Sequence, residues 1–270
     1  MGKLYVVGTP IGNLEDISLR ALRVLREASL IAAEDTRRAR VLTDHYEIDT
    51  PTTSYFEGNK LTKLDSVLGA LAKGDVALIS EAGMPGLSDP GYELIKAAIE
   101  RGYSVVPIPG PTAPVTALVV SGLPTDSFLF LGYLPRRQSR RLRLLDSLAR
   151  EEHTLIVFET PHRLRESLAD LEAVLGNRRL VLCREMTKVH EEIWRGTISE
   201  ARAVFDEQEP RGEFTLVVGG AADEEQRWDE GQVRSALADL LAQGVRRPDA
   251  AKRVAELSGW ERGAVYKLAL

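Results

Sequence analysis

Short apolar runs of strand-forming residues alternate with amphipathic helical segments, and this alternation constrains the fold more than any other feature of the chain. The first stretch has predicted strands at 4–8, 30–33, 76–79 and 105–108, and predicted helices at 18–28, 36–46, 61–73, 91–101 and 112–121. Strands separated by helices in this way are typical of an α/β sheet protein. The pattern predicts an N-terminal α/β domain, residues 1–115.

A second α/β stretch follows and ends in a different pattern. Its predicted strands are 128–131, 155–158, 180–185, 193–197 and 214–218, and its predicted helices are 140–150 and 163–175. The last three strands succeed one another closely, which favours antiparallel pairing at one side of a mixed sheet. We therefore predict a second α/β domain, residues 116–222.

The C-terminal residues differ from both α/β stretches. Residues 221–230 hold five acids and one arginine without apolar periodicity, which is typical of a linker. Helical patterns follow at 232–243, 248–257 and 262–270, and Ser258 and Gly259 suit a turn between the last two. This predicted all-helical domain, 231–270, carries seven Lys and Arg against four Asp and Glu. Its spacing fits either a helix-turn-helix or a small three-helix cap.

Composition excludes several classes of protein. The net charge of −5 and the 44% of hydrophobic residues fit a globular protein. The uncharged stretch 102–125 is not a predicted membrane span, because five prolines interrupt it. The single cysteine, Cys183, indicates a reducing compartment such as the cytoplasm. Four scattered histidines make no metal-ligand set, so no metal is expected.

Three loops rich in glycine and proline follow predicted strands, at 8–13, 80–91 and 109–113. Ligands of open α/β sheets bind beyond the carboxyl ends of strands, where such loops gather. Glycine lets a ligand approach the backbone closely, and proline stiffens a loop in advance. The chain has neither a G-x-x-x-x-G-K-[ST] motif nor a G-x-G-x-x-G loop after its first strand. The loops therefore favour a small-molecule pocket of another kind.

Eight strings carry a more specific signal. They are, in chain order, TPIGNL (9–14), AAEDTR (32–37), SEAGMPGLSDPG (80–91), PIPGPTA (107–113), FLFLGYLP (128–135), FETPHR (158–163), REMTK (184–188) and RGEFTLVV (211–218). Over about residues 3–220 the chain thus resembles the tetrapyrrole-methylase superfamily of S-adenosylmethionine (SAM) methyltransferases. Within it, the chain is similar to members that 2′-O-methylate the ribose of a cytidine in small-subunit (16S) ribosomal RNA. The resemblance implies two α/β domains with the cofactor cleft between them, and a small helical appendage.

The resemblance also implies that SAM is held in this cleft, largely by backbone. The residues implied to bind it lie in the strand-end loops and at the start of the second domain: Pro10, Ser80, Glu81, Ala82, Gly83, Met84, Pro85, Ser88, Asp89, Pro111, Thr112, Ala113, Leu131 and Gly132. The sulfonium is expected near a carboxylate such as Glu81 or Asp89, and a helix-cap role for Asp89 is equally open. Two residues depart from the family loop, Glu81 for Asp and Met84 for Thr. Residues 55–60 lack a histidine common in the family.

Direct methyl transfer to a ribose hydroxyl needs alignment of the reacting atoms and a positioned base. The catalytic candidates Glu34, Asp35 and Arg37 follow the second predicted strand, and His162 and Lys188 are weaker candidates. The alternative for Asp35 is a helix N-cap, with Arg37 paired to a phosphate or a carboxylate. Both interpretations stay open at this point.

Residues 135–145 hold five arginines and no acid: Arg136, Arg137, Arg140, Arg141 and Arg143. Guanidinium groups suit contacts with phosphate, although a solvated helix face is the commoner meaning of a charge run. The density of charge favours RNA binding. The implied partner is small-subunit ribosomal RNA or the assembled subunit, and the resemblance implies a homodimer.

Two other functions compete with this interpretation. A SAM enzyme acting on a corrinoid or another tetrapyrrole would share the core. A non-enzymatic DNA-binding regulator would depend on the C-terminal helices. The arginine-rich segment, the basic tail and the strings AAEDTR and FETPHR favour ribosomal RNA over a tetrapyrrole. A weak helix-turn-helix does not explain three strand-end loops in a much larger α/β region.

Overall fold

A computed structural model describes residues 2–56, 58–221, 228, 230–258 and 260–268 of the chain. The chain divides into two compact units. The large unit comprises Met1–Leu148 and His153–Gly219, and the small unit comprises Ala149–Glu152 and Gly220–Leu270. No helix in the described ranges is long and apolar enough to cross a membrane.

The first sheet of the large unit has five strands, all parallel. They are β1 (Lys3–Val7), β2 (Leu30–Ala33), β3 (Thr52–Ser54), β4 (Val76–Ile79) and β5 (Ser104–Ile108), in the spatial order β3-β2-β4-β1-β5. The helices that follow these strands are α1 (Leu19–Glu27), α2 (Thr36–His45), α3 (Lys60–Leu71), α4 (Tyr92–Glu100) and α5 (Ala113–Ser121). Because parallel strands end at one edge, the loops 8–13, 80–91 and 109–113 gather there.

Alternation along the strands gives the first sheet two buried faces. In β4, Ala77 and Ile79 pack in the cluster with α1 and α2, whereas Val76 and Leu78 pack in the cluster with α3 and α4. All four side chains are at most 2% exposed. Near-continuous apolar runs are what a parallel sheet covered on both faces requires.

The second sheet is mixed. Its strands are β6 (Phe128–Tyr133), β7 (Thr154–Glu159), β8 (Arg179–Arg184), β9 (Glu192–Thr197) and β10 (Phe214–Val218), in the spatial order β6-β7-β10-β8-β9. Only β6 and β7 are parallel, and β10 and β8 pair antiparallel with their neighbours. The predicted antiparallel pairing is therefore confirmed. The helices α6 (Gln138–Ser147), α7 (Pro161–Leu175) and α8 (Ile198–Glu207) pack against one face of this sheet.

Helix α5 covers the other face of the second sheet. Ala117 and Leu118 of α5 lie in one buried cluster with Ile156 and Val217 of the sheet. The predicted boundary between residues 115 and 116 falls inside this helix. The predicted fold class, two α/β domains with a small helical domain at the C-terminus, is confirmed.

The small unit is helical. Its helices are α9 (Glu230–Ala242), α10 (Arg247–Ser258) and α11 (Arg262–Leu268). They share a core that includes Val233, Leu237, Val254 and Val265, each at most 2% exposed. Most of the predicted acidic linker, together with Gly259 and the last two residues of the helix predicted at 262–270, lies outside the described residues.

Strand β3 and helix α8 of the large unit were not expected from the sequence. Strand β3 is only three residues long and polar, and helix α8 fills the interval between β9 and β10. A capping box begins α8, because the side chain of Thr197 accepts from the Glu200 N–H and the Glu200 carboxylate accepts from the Thr197 N–H.

Candidate functional site

A cavity of about 450 Å³ opens in the large unit where loops of the first sheet meet strands of the second. Nine of the predicted cofactor-binding residues line it: Pro10, Glu81, Ala82, Gly83, Met84, Ser88, Asp89, Thr112 and Ala113. The other five are absent from the described lining: Ser80, Pro85, Pro111, Leu131 and Gly132. The three strand-end loops thus converge on one cavity.

The loops after β1, β4 and β5 are fixed to one another by backbone. Thr9 and Gly83 exchange hydrogen bonds, with N···O distances of 2.9 and 3.1 Å. A Cβ on Gly110 would lie 2.7 Å from the carbonyl oxygen of Gly8, so only glycine fits where these two loops cross. Gly83 has a φ of +79°, which also favours glycine. The sequence pattern of the loops therefore has a structural cause.

Helix α5 begins at the cavity without a side-chain cap. Its N-cap residue, Thr112, makes no capping hydrogen bond, and the first helical bond runs from the Thr116 N–H to the Thr112 carbonyl. Thr112, Ala113 and Pro114 all line the cavity. The start of α5 thus presents uncapped N–H groups and the positive end of a helix dipole to a ligand.

Three carboxylates lie on the first-sheet side of the cavity. The Glu81 N–H donates to Glu34 Oε2 at 3.2 Å, and the Glu81 carboxylate pairs with Arg38 at 3.2 Å. Burial raises the pKa of Glu34. Burial, assisted by the negative charge of Glu34, raises the pKa of Asp89 to about 7. Because Arg38 belongs to α2, Glu81, which replaces the aspartate usual in the family, has a cationic partner on that helix.

Asp89 is not a helix cap. The N-cap of α4 is Gly91, and α4 has no side-chain capping bond. Asp89 instead lines the cavity directly after Ser88, whose φ of +64° is strained for a residue other than glycine. The capping interpretation of Asp89 is therefore wrong.

The structure places the predicted catalytic residues beside the cavity, and none of the three is in its described lining. Asp35 is the N-cap of α2, accepting from the Arg37 N–H at 2.8 Å. The Arg37 guanidinium also donates to the Asp35 carboxylate, at 2.7 and 3.1 Å. These hydrogen bonds lower the pKa of Asp35 to about 2. The capping interpretation of Asp35 is confirmed, and Arg38, one residue further on, reaches the cavity.

The opposite wall of the cavity comes from the second sheet. Tyr133 ends β6, and its ring centroid lies 5.5 Å from that of Phe158 on β7. Lys188 Nζ pairs with Glu185 at 3.0 Å and with Glu213 at 2.9 Å. Sequence reasoning did not assign Phe158 or Glu213 to the site, although both line the cavity and belong to the strings FETPHR and RGEFTLVV.

Four of the five predicted RNA-binding arginines form an exposed cationic surface, which we name the arginine face: Arg136, Arg137, Arg140 and Arg143. In the described part of the chain, no carboxylate lies within 4.0 Å of their guanidinium groups. Arg141 differs, because it is 1% exposed and pairs with Asp170 of α7 at 2.6 Å. A buried, paired guanidinium is not available to phosphate, so the predicted RNA contact of Arg141 does not fit the structure.

Comparisons with known proteins agree with this architecture. The family described as tetrapyrrole (corrin/porphyrin) methylases matches residues 3–202. The protein of Synechocystis sp. named ribosomal RNA small subunit methyltransferase I is 46% identical, over 100% of this chain and 98% of its own length. The protein of that name from Thermotoga maritima is 48% identical, over 82% of this chain and 99% of its own length.

Solved structures show the same fold. The uroporphyrin-III C-methyltransferase of Thermus thermophilus, complexed with S-adenosylhomocysteine, superposes with a TM-score of 0.58. The two proteins are 21% identical, and the superposition covers 81% of this chain and 97% of the other. The chain therefore belongs to the tetrapyrrole methylase family and, within it, to the family of the proteins named ribosomal RNA small subunit methyltransferase I.

Proposed function

We propose that this chain transfers a methyl group from SAM to the 2′-hydroxyl of a cytidine ribose in small-subunit (16S) ribosomal RNA. One observation carries the proposal: the wall of the cofactor cavity continues directly into a cationic surface. Tyr133 at the end of β6 lines the cavity, and the arginine face begins three residues later. A small-molecule site and a phosphate-binding surface thus adjoin along one strand and the helix after it.

SAM, the cofactor predicted from the sequence, is the methyl donor of this family, and the residues present fit it. A cavity of about 450 Å³ lies within the range of about 300–1,000 Å³ that is usual for small ligands. The uncapped start of α5 suits the carboxylate of an amino acid. Glu81 and Asp89 supply negative charge for an ammonium or a sulfonium. When bound, SAM supplies an electrophilic methyl group on a positively charged sulfur.

The backbone of the loops around the cavity is held in one arrangement before a ligand binds. The exchange of hydrogen bonds between Thr9 and Gly83 and the close crossing of Gly8 and Gly110 hold three loops in fixed register. The conformational entropy of these loops is therefore lost when the protein folds, and a ligand that binds does not have to order them. Such preorganisation is the main requirement for a direct transfer between two bound groups.

For the predicted catalytic residues Glu34, Asp35 and Arg37 we propose a positioning role. Glu34 accepts the Glu81 N–H and so positions the loop 80–91 against the cavity. Asp35 and Arg37 form the N-terminal cap of α2, whose next residue, Arg38, holds the Glu81 carboxylate. These contacts support a positioning role for the three residues.

The arginine face is proposed to bind the phosphates of the RNA. Its four guanidinium groups are exposed and lack carboxylate partners within the described residues, so they retain their charge for a ligand. Buried Arg141 ties the same helix to α7 through Asp170. Helix α6 is therefore anchored on its inner side and cationic on its outer side.

A second candidate is methylation of a corrinoid or another tetrapyrrole small molecule. It is favoured by the fold shared with the uroporphyrin-III C-methyltransferase. The arginine face supports RNA over this candidate, because a small-molecule substrate would not need an extended cationic surface outside the cavity.

We further infer that the enzyme works as a homodimer in the cytoplasm, where ribosomal subunits are made. The apolar side chains Val115 and Val119 lie one turn apart on α5 and are 45% and 65% exposed. Apolar groups that share an exposed helix face are typical of a surface covered by another chain. Sedimentation velocity at micromolar concentration tests the dimer.

Methyl transfer from tritium-labelled SAM tests the function. The purified protein is offered small ribosomal subunits from cells lacking the gene, naked 16S RNA, uroporphyrinogen III and DNA. Label in RNA of the subunits or in naked RNA, located on a cytidine 2′-oxygen by mass spectrometry, is the expected result. Label in the tetrapyrrole alone would favour the second candidate, and label in none would refute both.

A further inference from the structure

The small unit contains a cavity of its own. Its volume is about 490 Å³, and its described lining consists of Trp228, Trp260, Glu261 and Ala264. The chain has three tryptophans, so two of them border this one cavity. Both indoles pack against the core of the small unit and are only partly buried. Partly exposed aromatic side chains around a cavity are typical of a binding site.

A set of hydrogen bonds holds the two tryptophans in place. The Trp260 Nε1–H donates to the Trp228 carbonyl at 2.6 Å, and the Trp228 N–H donates to the Ser258 carbonyl at 3.3 Å. Ser258 is fully buried, and its Oγ accepts from the Trp260 N–H at 3.3 Å. The polar atom of the Trp260 ring is thus already satisfied, and the ring offers a ligand its apolar surface. Such a surface suits the π-face of a nucleobase.

Glu261 is the charged group of the described lining. Its side chain is exposed, and among the described residues no Lys, Arg or His nitrogen lies within 4.0 Å of its carboxylate. An ionised carboxylate accepts hydrogen bonds and donates none, so it selects a ligand with N–H groups. Cytosine, with its N4 amino group, meets this requirement, whereas uracil presents a carbonyl oxygen at the same position.

The cations of the small unit favour a nucleic acid as the occupant of the cavity. Arg262 directly follows Glu261, and Lys267 lies one turn after Ala264 on α11. Both cations are exposed, and within the described ranges neither has a carboxylate within 4.0 Å. They therefore attract phosphate and repel a cationic peptide, the other ligand that two indoles and a carboxylate could hold.

We propose that this cavity binds an unpaired RNA base that carries an amino group, and that Arg262 and Lys267 contact the phosphates beside it. The inference rests on the proposed function and gives the ribosomal RNA a second binding site, in the small unit. The base stacks on an indole, and Glu261 accepts from its amino group. Unpaired bases are the part of RNA that proteins read in this way, since the major groove of an RNA duplex is too narrow for side chains.

Tryptophan fluorescence reports on this cavity alone in Trp194→Phe, because that change leaves only the two tryptophans of the cavity. The full-length variant is titrated with single-stranded cytidine and uridine oligonucleotides of equal length. The cytidine oligonucleotide should quench the fluorescence and bind at least about fivefold more tightly, since only cytosine has an amino group for Glu261. Adding Glu261→Gln should bring the two affinities within about twofold, because an amide both donates and accepts. Circular dichroism spectra equal to that of the wild type show that both variants fold.

Salt dependence tests the two cations. Alanine at both Arg262 and Lys267 should weaken the binding of both oligonucleotides to a similar extent. It should also reduce the magnitude of the slope of log affinity against log salt concentration by about 1.4, at about 0.7 for each phosphate contact of a single strand. Alanine at both Arg234 and Arg246 is the matched control and should leave the slope unchanged, because these guanidinium groups already pair with carboxylates of the same unit.

Four results would overturn the proposal. They are no quenching by either oligonucleotide, equal affinities for the two in Trp194→Phe, a preference for cytidine that persists after Glu261→Gln, and an unchanged salt slope without Arg262 and Lys267. Quenching by an arginine-rich peptide in place of RNA would assign the cavity to a protein instead. None of these titrations needs methyl transfer, so a failure of this inference is distinguishable from a failure of the proposed function, which the labelled-SAM assay detects.

Discussion

Replacing Asp170 by asparagine is expected to destabilise the large unit by about 3 kcal/mol. The change removes the carboxylate that pairs with buried Arg141 at 2.6 Å and leaves a guanidinium that is 1% exposed. Removing one partner of a buried ion pair costs about 3–5 kcal/mol, because the remaining charge stays out of water without compensation.

The lower end of that range follows from the groups that remain around Arg141. Glu166 lies 3.6 Å from the guanidinium, but its side chain is 72% exposed and contributes little. The carbonyl oxygens of Pro135 and Arg136 accept from Arg141 Nη1 at 3.3 and 3.4 Å. For a protein of this size, about 3 kcal/mol corresponds to a fall in Tm of about 6–12 °C.

Equilibrium unfolding in urea, followed by far-ultraviolet circular dichroism, measures the change. The midpoint should fall while the slope stays constant, which identifies a loss of stability rather than a change in compactness. The exposed pair Arg23–Glu27, at 2.8 Å, provides the control: Glu27→Gln should cost less than about 1 kcal/mol. If Asp170→Asn costs as little as Glu27→Gln, the reasoning from burial is refuted.

Three further predictions follow from the site and the core. Alanine at all four residues of the arginine face should reduce the magnitude of the slope of log RNA affinity against log salt concentration by about 3, since each phosphate contact contributes about 0.7–0.9. Alanine at the three exposed arginines of α1 is the control and should leave this slope unchanged. An unchanged slope in the first variant would exclude the face from RNA binding. Gly110→Ala should weaken SAM binding at least tenfold in calorimetry, because the new Cβ would lie 2.7 Å from the backbone of Gly8. Gly69→Ala, which has open space around its Cβ, is the control and should not weaken it. Equal SAM affinities of the two variants would contradict the account of the crossing loops. Cys183 should resist iodoacetamide at pH 8 until the protein unfolds, because burial raises the pKa of its thiol to about 11; alkylation of the native protein, detected by mass spectrometry, would contradict this.

Local patterns were sufficient for most elements. The strands predicted at 30–33, 76–79 and 214–218 have those bounds in the structure, because continuous apolar runs between turn residues have few alternatives. Strand β3 could not be predicted, since its three polar residues are a strand only by pairing with β2. Helix α8 could have been found from the Thr197 and Glu200 capping box, a signal that the close succession of strands obscured.

Local sequence patterns also predicted part of the site. Glycine and proline mark the loops of the first sheet, and these supplied nine of the predicted lining residues. The wall formed by Phe214 and Thr215 lies inside an ordinary apolar strand, so its sequence has no local feature of a site. Arg141 stands among four exposed arginines, and only its contact with Asp170, 29 residues away, distinguishes it.

The exchange of hydrogen bonds between Thr9 and Gly83 joins two loops that are 74 residues apart in the chain. Displacing either loop breaks both bonds at once, so the pair opens as one cooperative unit. Their amide protons should therefore exchange with deuterium at a common rate. Among the described residues, no such pair of backbone hydrogen bonds joins β6 or β7 to the loop after β1. We therefore expect the cavity to widen on the side of β6 and β7 when a ligand enters.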